Sequence, residues 1–165
     1  MKFKLTMENG KIHTVGTLSG ADGVVTTYDE WFSKVDAPAQ SKELTGTWKV
    51  ISQTVNNPDG SVFTADSTST SMRKLFTPGM VIVIREMVVP QMDNQKLVVS
   101  CAGGLYTLKG GAYEELISFA SYQGFDSMKV KFNLKIENGK LHTSGTLTDG
   151  NGQVAVYDEW FVRAD

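Results

Sequence analysis

The 165-residue sequence lacks the features that mark disulfide-stabilised, membrane-spanning and nucleic-acid-binding proteins. It has a single cysteine, Cys101, which excludes an intrachain disulfide and lies in an apolar run that predicts burial. The longest aliphatic run, residues 80–84, is far shorter than the ~20 residues of a membrane-spanning helix. Sixteen basic and eighteen acidic residues give a net charge of −2, which provides no positive field for nucleic acid.

Residues arranged for catalysis or metal binding are also scarce. His13 and His142 have no second histidine or nearby carboxylate at metal-ligand spacing, which predicts exposed strand residues. Glu114-Glu115 and Asp158-Glu159 are adjacent pairs, and adjacent residues of a strand point to opposite faces. No glycine-rich phosphate loop or nucleophile motif is present. We therefore expect a protein that is not an enzyme, with no catalytic residues, no cofactor and no metal.

The strongest signal in the sequence is an internal duplication. Residues 1–36 align without gaps with residues 130–165, and 20 of the 36 aligned positions are identical. The copies lie only at the two ends of the chain, so this is not a solenoid repeat. Residues 37–43 are small, polar and proline-bearing, as in a linker. The sequence thus predicts a partial repeat (1–36), a linker (37–43) and one complete domain (44–165).

Hydrophobic alternation predicts β-strands along most of the chain. In residues 130–136, apolar side chains alternate with lysines and an asparagine, and Asn138-Gly139 then supplies the positive φ angles of a tight hairpin. Upstream, residues 96–101 and 105–109 are predicted as separate strands, and the Ser/Thr-rich stretch 61–72 as a loop near a barrel mouth. Eight to ten antiparallel strands at this spacing indicate an all-β barrel or sandwich.

Four motifs, in order along residues 44–165, resemble a known family. They are Leu44-Thr45-Gly46-Thr47-Trp48-Lys49-Val50, Gly104-Leu105-Tyr106-Thr107-Leu108, Ala112-Tyr113-Glu114-Glu115-Leu116-Ile117 and Tyr157-Asp158-Glu159-Trp160-Phe161-Val162-Arg163. The first resembles the Gly-x-Trp signature of lipocalins, and the set is similar to small lipocalin-like domains of bacterial secreted proteins, most without an assigned function. The resemblance implies an antiparallel lipocalin-like (calycin-type) barrel of eight to ten strands. The N-terminal three-stranded meander would duplicate the last three strands of this barrel.

The resemblance also implies roles for two residues and a location. In lipocalins the signature tryptophan plugs the closed end of the barrel and stacks on an arginine of the last strand, which corresponds here to Trp48 and Arg163. A periplasmic or secreted location follows from the resemblance alone. The N-terminal residues 1–8 alternate in charge and apolarity, without the apolar segment of a signal peptide.

Strand alternation selects the candidate ligand-binding residues. If Arg163 faces inward, every second residue before it does so too, and a similar argument applies to the strand beginning near Tyr113. The predicted site consists of Tyr113, Glu115, Phe132, Leu134, Tyr157 and Glu159. Glu115 or Glu159 is expected to face the interior and to set the polarity of the ligand. Alternatively, these acids lie outside the barrel or are neutralised by Arg85 and Arg163.

Two functions of different classes follow from this architecture. The first is non-catalytic binding of a small, largely apolar or amphipathic molecule, which an interior cavity of ~300 Å3 or more would favour. The second is a protein-interaction module whose barrel is filled by side chains and acts through loops and sheet edges. The duplicated strands leave open edges, and residues 1–36 could dock against the strand beginning near Thr45 in place of residues 130–165. The displaced copy would then complete a neighbouring molecule, which predicts a domain-swapped or strand-paired homo-oligomer. Alternatively, residues 1–36 fold back on the outside of their own barrel.

Overall fold

The computed structural model describes residues 2–34 and 36–164, and most of these residues lie in antiparallel strands. The chain divides into two compact units, Met1–Asp36 and Ala37–Asp165. Within the described ranges, helical structure is confined to two short 3-10 turns, Pro90–Met92 and Phe125–Ser127. No helix in those ranges is long and apolar enough to cross a membrane.

The first unit is a three-stranded meander of β1 (Lys2–Glu8), β2 (Lys11–Ser19) and β3 (Val25–Ser33). Asn9 and Gly10 join β1 to β2 with φ angles of 50° and 74°, as a tight two-residue hairpin requires. Gly16 on β2 lies directly under the ring of Phe3. A glycine is needed at this position because a Cβ would come within 2.4 Å of the ring. The three strands therefore form from local turn and alternation signals within residues 1–36.

The described residues of the second unit, 37–164, form nine strands. They are β4 (Gly46–Asn56), β5 (Val62–Asp66), β6 (Ser71–Phe76), β7 (Met80–Val89), β8 (Gln95–Lys109), β9 (Ala112–Ala120), β10 (Lys129–Glu137), β11 (Lys140–Thr148) and β12 (Val154–Arg163). From β6 to β12 each strand pairs with the next, β4 pairs with β6, and β12 pairs back onto β4. This closes an eight-stranded antiparallel barrel, to which β5 is added along the second half of β4. The prediction of an all-β barrel with a separate N-terminal meander is confirmed.

Two details of the strands differ from the sequence prediction. The glycines at 103–104 form a β-bulge inside one continuous strand, β8, where two strands were expected. Gly104 is required at this bulge because a Cβ would lie 2.0 Å from the carbonyl oxygen of Leu116. Residues 62–66, expected in a loop, form β5.

Cys101 is only partly buried, so the expectation of burial is wrong for this residue.

The hydrophobic core lies inside the barrel. It consists of Leu44, Trp48, Val50, Met72, Phe76, Val81, Tyr106, Tyr113, Val130, Phe132, Leu134, Leu141 and Phe161. Residues 37–43 belong to the barrel unit: the backbone N–H of Gln40 donates to the carbonyl oxygen of Pro78 (2.6 Å), and its side-chain oxygen accepts from the N–H of Leu108 (3.2 Å). This segment covers the barrel next to the β6–β7 turn.

Trp48 and Arg163 are in contact, as the resemblance implies. The indole is almost completely buried and donates to the carbonyl oxygen of Leu44 at 2.8 Å. The guanidinium carbon of Arg163 lies 4.5 Å from the centre of the indole ring, a cation–π distance. The same guanidinium donates to the carbonyl oxygens of Thr45 and Glu43. Arg163 thus ties the end of β12 to the chain that leads into β4.

Candidate ligand-binding site

A cluster of charged side chains lies inside the barrel, contributed by three strands that are distant in sequence. Lys74 lies between buried Met72 and Phe76 on the inward face of β6. Its Nζ lies 3.1 Å from Glu159 Oε2 on β12 and 3.9 Å from Glu115 Oε1 on β9. All three charged side chains are 4–5% exposed, so the ions face each other with little screening by water.

Glu159 has three hydrogen-bond donors from the surrounding strands. Gln53 Nε2 donates to Oε1 at 2.7 Å, and Thr143 Oγ1 and Lys74 Nζ donate to Oε2 at 2.9 and 3.1 Å. Glu115 accepts from the hydroxyl of Tyr113 at 2.8 Å. Both glutamates therefore lie in the interior with protein partners, as buried charges in proteins are paired and hydrogen-bonded.

The same cluster displaces the pKa values of its neighbours. Burial alone would lower the pKa of Lys74, but the charges of Glu159 and Glu115 outweigh burial and raise that pKa above its usual range. Burial, reinforced by the charge of Glu115, raises the pKa of the Tyr113 hydroxyl well above its ordinary value. Burial and the charge of Glu159 likewise raise the pKa of Tyr157. At neutral pH the cluster contains charged Lys74 and two neutral phenols.

Two aromatic rings also position Lys74. Its Nζ lies 5.3 Å from the ring centres of both Phe132 and Phe161, which face it from β10 and β12. The negative faces of these rings attract the ammonium group and replace part of its lost hydration. Lys74 is thus held by two carboxylates and two rings and has a defined position in the interior.

A cavity of about 150 Å3 adjoins the cluster. Its polar wall comprises Gln53, Lys74, Arg85, Ser100, Glu115, Tyr122, Tyr157 and Glu159, and its apolar wall Met72, Val83, Ala102, Ile117, Met128, Val130, Phe132 and Leu147. Nη2 of Arg85 donates to Gln53 Oε1 at 3.2 Å and lies 3.7 Å from the sulfur of Met72. The cavity therefore combines a hydrophobic lining with a few polar anchors, the usual composition of small-ligand sites.

The structure places the six predicted site residues in two groups. Glu115, Phe132, Tyr157 and Glu159 line the cavity. Tyr113 and Leu134 are buried in the adjoining core and do not line it, although Tyr113 acts on the site through its hydrogen bond to Glu115.

Lys74 and Gln53 were missed by the sequence analysis, which considered only Arg85 and Arg163 as partners for interior acids. In the structure Lys74 is the cation that pairs with both glutamates, Arg85 contacts Gln53, and Arg163 lies at the Trp48 end of β12. The available signal was alternation: Lys74 occupies the central inward position of a strand whose flanking inward residues are Met72 and Phe76. A lysine at such a position requires buried partners.

The two histidines make the same contacts in the two units. In the barrel, the ring of His142 stacks on Trp160 with ring centres 4.1 Å apart, and its Nε2 lies 3.0 Å from Asp158 Oδ2. In the first unit, the ring of His13 stacks on Trp31 at 4.0 Å, and its Nε2 lies 2.9 Å from Asp29 Oδ1. Both rings are partly buried on their strands, whereas exposed strand residues were expected. Among residues 2–34 and 36–164 no three side chains are grouped to bind a metal ion.

The chain was compared with family models, curated proteins and solved structures, and similarity was found among the solved structures. No family model and no curated protein matches it. Among solved structures, a similar one is the crystal structure of a protein of unknown function from the DUF3598 family of Nostoc punctiforme, with 9% sequence identity and a TM-score of 0.39. The match covers 98% of this chain and 65% of that protein, so the chain spans less than two thirds of its length.

Proposed function

We propose that the chain is a lipocalin-like, non-catalytic binding protein whose barrel holds one small, largely apolar or amphipathic molecule. The observation that carries this proposal is the cavity of about 150 Å3 between the Lys74–Glu159 cluster and an apolar wall. The neighbouring carboxylates are held by protein donors, and this arrangement favours binding over proton transfer to a substrate.

The size of the cavity limits the ligand. Its volume is about half of the ~300 Å3 at which drug-sized sites begin. An engineered apolar cavity of about 150 Å3 admits benzene, so a single ring or a short branched chain is the largest ligand that fits without rearrangement. The cavity is therefore smaller than the ~300 Å3 expected of a ligand-binding barrel, and the proposed ligand is correspondingly small.

The anchor for the polar end of the ligand is Arg85. Its guanidinium donates one hydrogen bond to an oxygen of the described residues, Gln53 Oε1. Because a guanidinium has five N–H groups and Arg85 lines the cavity, further donors are available to a ligand there. Glu115 and Glu159 already accept hydrogen bonds from protein groups. The ligand therefore presents an acceptor, such as a carbonyl or carboxylate oxygen, to Arg85 and its apolar body to Ile117 and Val130.

Titration with toluene, phenol and benzoate tests this function, with binding followed by NMR shifts of the cavity residues. We expect saturable binding, and benzoate to bind more tightly than toluene because it supplies an acceptor. Ile117→Phe fills the cavity and should abolish binding, whereas Leu116→Phe, on the exposed face of the same strand, should not. No saturable shift with any probe, or equal binding by both variants, would contradict the proposal.

The interaction-module alternative has one observation in its favour. The β1–β3 meander exposes an apolar face, and the outer strands β1 and β3 each pair on one side only within their three-stranded sheet. Edges of this kind recruit other strands. This alternative predicts a homo-oligomer through the duplicated strands: light scattering should show dimers at high concentration that disappear when residues 1–36 are deleted. A monomer at all concentrations would exclude it.

A further inference from the structure

The apolar face of β1–β3 corresponds residue by residue to a face that β10–β12 buries inside the barrel. The shared inward positions are Phe3, Leu5, Thr14, Tyr28, Glu30 and Phe32, identical to Phe132, Leu134, Thr143, Tyr157, Glu159 and Phe161. Leu5 is 62% exposed and Leu134 6%; Phe32 is 48% exposed and Phe161 0%. The first unit thus exposes the same side chains that β10–β12 buries inside the barrel.

The two meanders also have the same internal geometry. The ring centres of Phe3 and Tyr28 are 6.0 Å apart, against 5.9 Å for their counterparts in the barrel. Thr14 Oγ1 donates to Glu30 at 3.2 Å, as Thr143 does to Glu159 at 2.9 Å. The face of β1–β3 therefore already has the shape that fits a barrel, without any change within the meander.

The charge on this face specifies what must cover it. Glu30 holds the position of Glu159, whose other donors, Gln53 and Lys74, come from β4 and β6. Packing two such meanders face to face would bury two glutamates without a cation, which is strongly unfavourable. The fitting surface is a half-barrel that supplies a lysine and an amide, as β4–β9 does.

We propose that β1–β3 is a second closing segment, which binds the β4–β9 half-barrel of its own chain in the place of β10–β12. In the barrel, β12 pairs with β4 and β10 pairs with β9. In the exchanged state β3 pairs with β4 and β1 with β9, and Glu30 binds Lys74. The proposal concerns strand exchange and does not depend on the identity of a ligand.

The chain connection permits this exchange. Arg163 is aligned with Trp48 in the β12–β4 register, and its counterpart in the first meander is Lys34. In the exchanged state, thirteen residues, 35–47, would join two positions about 5 Å apart, which is ample for a loop. A tethered segment reaches millimolar effective concentration, whereas the half-barrel of a second chain is occupied by its own β10–β12. The intrachain exchange is therefore favoured over domain swapping.

One difference between the copies explains why β10–β12 is the resident segment. Arg163 stacks on Trp48 and donates to two carbonyl oxygens, and Lys34 lacks the planar guanidinium for both contacts. The exchanged state is thus the minor one in the unmodified chain. It becomes dominant when β10–β12 is damaged.

Matched substitutions in the full chain test the exchange. Leu134→Asp places a charge in the barrel interior, and Leu5→Asp makes the same change at the exposed counterpart. We expect each single variant to remain folded, by circular dichroism and a cooperative urea transition, and the double variant to be unfolded. If Leu134→Asp alone is as unfolded as the double variant, the first meander cannot close the barrel and the proposal is wrong.

A disulfide identifies which segment lies against β4. Val156 is aligned with Asn56 in the β12–β4 register, so Thr27, its counterpart, would lie opposite Asn56 after exchange. In a Cys101→Ser background, Thr27→Cys with Asn56→Cys should form an intrachain disulfide rapidly in the Leu134→Asp chain and at least tenfold more slowly without that change. Val156→Cys with Asn56→Cys should show the opposite preference.

The outcome on a non-reducing gel separates the arrangements. An intrachain Thr27–Asn56 crosslink in the Leu134→Asp chain supports the proposal. A crosslinked dimer would assign the half-barrel to a second chain and overturn the intrachain exchange. Equal crosslinking rates with and without Leu134→Asp would show that β3 does not replace β12, which also overturns it.

Discussion

The segments β1–β3 and β10–β12 are nearly the same meander in two environments. Both have an Asn-Gly hairpin, a phenylalanine ring over a glycine, and a histidine stacked on a tryptophan. In the barrel one face of this meander is buried, whereas in the first unit the same face is exposed. Turn and strand chemistry therefore determine the local structure of the segment, and the half-barrel β4–β9 determines whether its apolar face becomes a core.

The difference in burial has an energetic consequence. Burying a leucine or phenylalanine side chain contributes about 1.5–3 kcal/mol. Leu134 and Phe161 contribute this within the barrel, and their counterparts Leu5 and Phe32 do not while they remain exposed. Three strands without a covered face are marginally stable. The first unit is thus the less stable region of the described chain.

The largest difference between the two meanders is expected from a change at Lys74, which forms an ion pair with Glu159 in the barrel. Lys74→Met leaves Glu159 and Glu115 buried without their cation, and we expect a loss of about 3–5 kcal/mol in the free energy of unfolding by urea titration. Lys131→Met, at an exposed lysine of β10, should change stability by less than about 0.5 kcal/mol. Similar small losses in both variants would show that the interior ions are not coupled.

The second prediction compares the contributions of Arg163 and its counterpart Lys34 to stability. Arg163→Ala removes the stacking on Trp48 and two hydrogen bonds, and we expect a loss of about 1–3 kcal/mol in unfolding free energy. Lys34→Ala should be neutral within about 0.5 kcal/mol in the same urea experiment. Equal effects at both positions would mean that the closed end of the barrel does not depend on the arginine.

Alkaline pH should destabilise the barrel through Lys74 and Tyr113. Both pKa values are raised in the folded state, from ordinary values of 10.5 and 10.0, so the folded state binds these protons more strongly. The stabilisation is complete below about pH 10 and is lost as the pH rises above it. We expect thermal melting points to be flat from pH 7 to about pH 9.5 and to fall beyond it. Tyr113→Phe should reduce the slope of that fall, and an unchanged slope would exclude Tyr113.

The smallest effect is spectroscopic and changes no stability. Trp31 is exposed in the first unit, Trp160 is partly buried, and Trp48 is almost inaccessible. Acrylamide should therefore quench Trp31 most, and Trp31→Phe should remove most of the quenchable fluorescence. Trp48→Phe should leave the amount of quenchable fluorescence unchanged and raise its share of the total, because this indole is buried. Strong protection of Trp31 would indicate that the face of β3 on which this residue lies is covered in solution.

Local patterns predicted much of this fold. Alternation and the Asn-Gly turns located the last three strands and their duplicate, and alternation along β12 placed Glu159 inside. The bulge at Gly103-Gly104 was mistaken for a break because a glycine pair resembles a turn in sequence. Only the backbone contact with Leu116, on a neighbouring strand, shows why glycine is needed there.

The partners inside the site were less predictable. Lys74 and Glu159 are 85 residues apart, and their contact exists only after β12 has closed onto β4. The histidine–aspartate pairs depend similarly on cross-strand register, since His142 is aligned with Trp160 and the carboxylate lies two residues before that tryptophan. Such contacts follow from tertiary geometry, whereas a sequence pattern shows only which face each residue occupies.

The interior charges also restrict how the last strand can be seated. A shift of β12 by two residues along β4 would keep its apolar face directed inward, so hydrophobic contact alone discriminates weakly against it. The same shift would separate Glu159 from Lys74 and Gln53, and an uncompensated ion in the interior costs several kcal/mol. The buried ion pair therefore helps to fix the register of β12 on β4, and it makes barrel closure selective for strands that carry a carboxylate at one defined position.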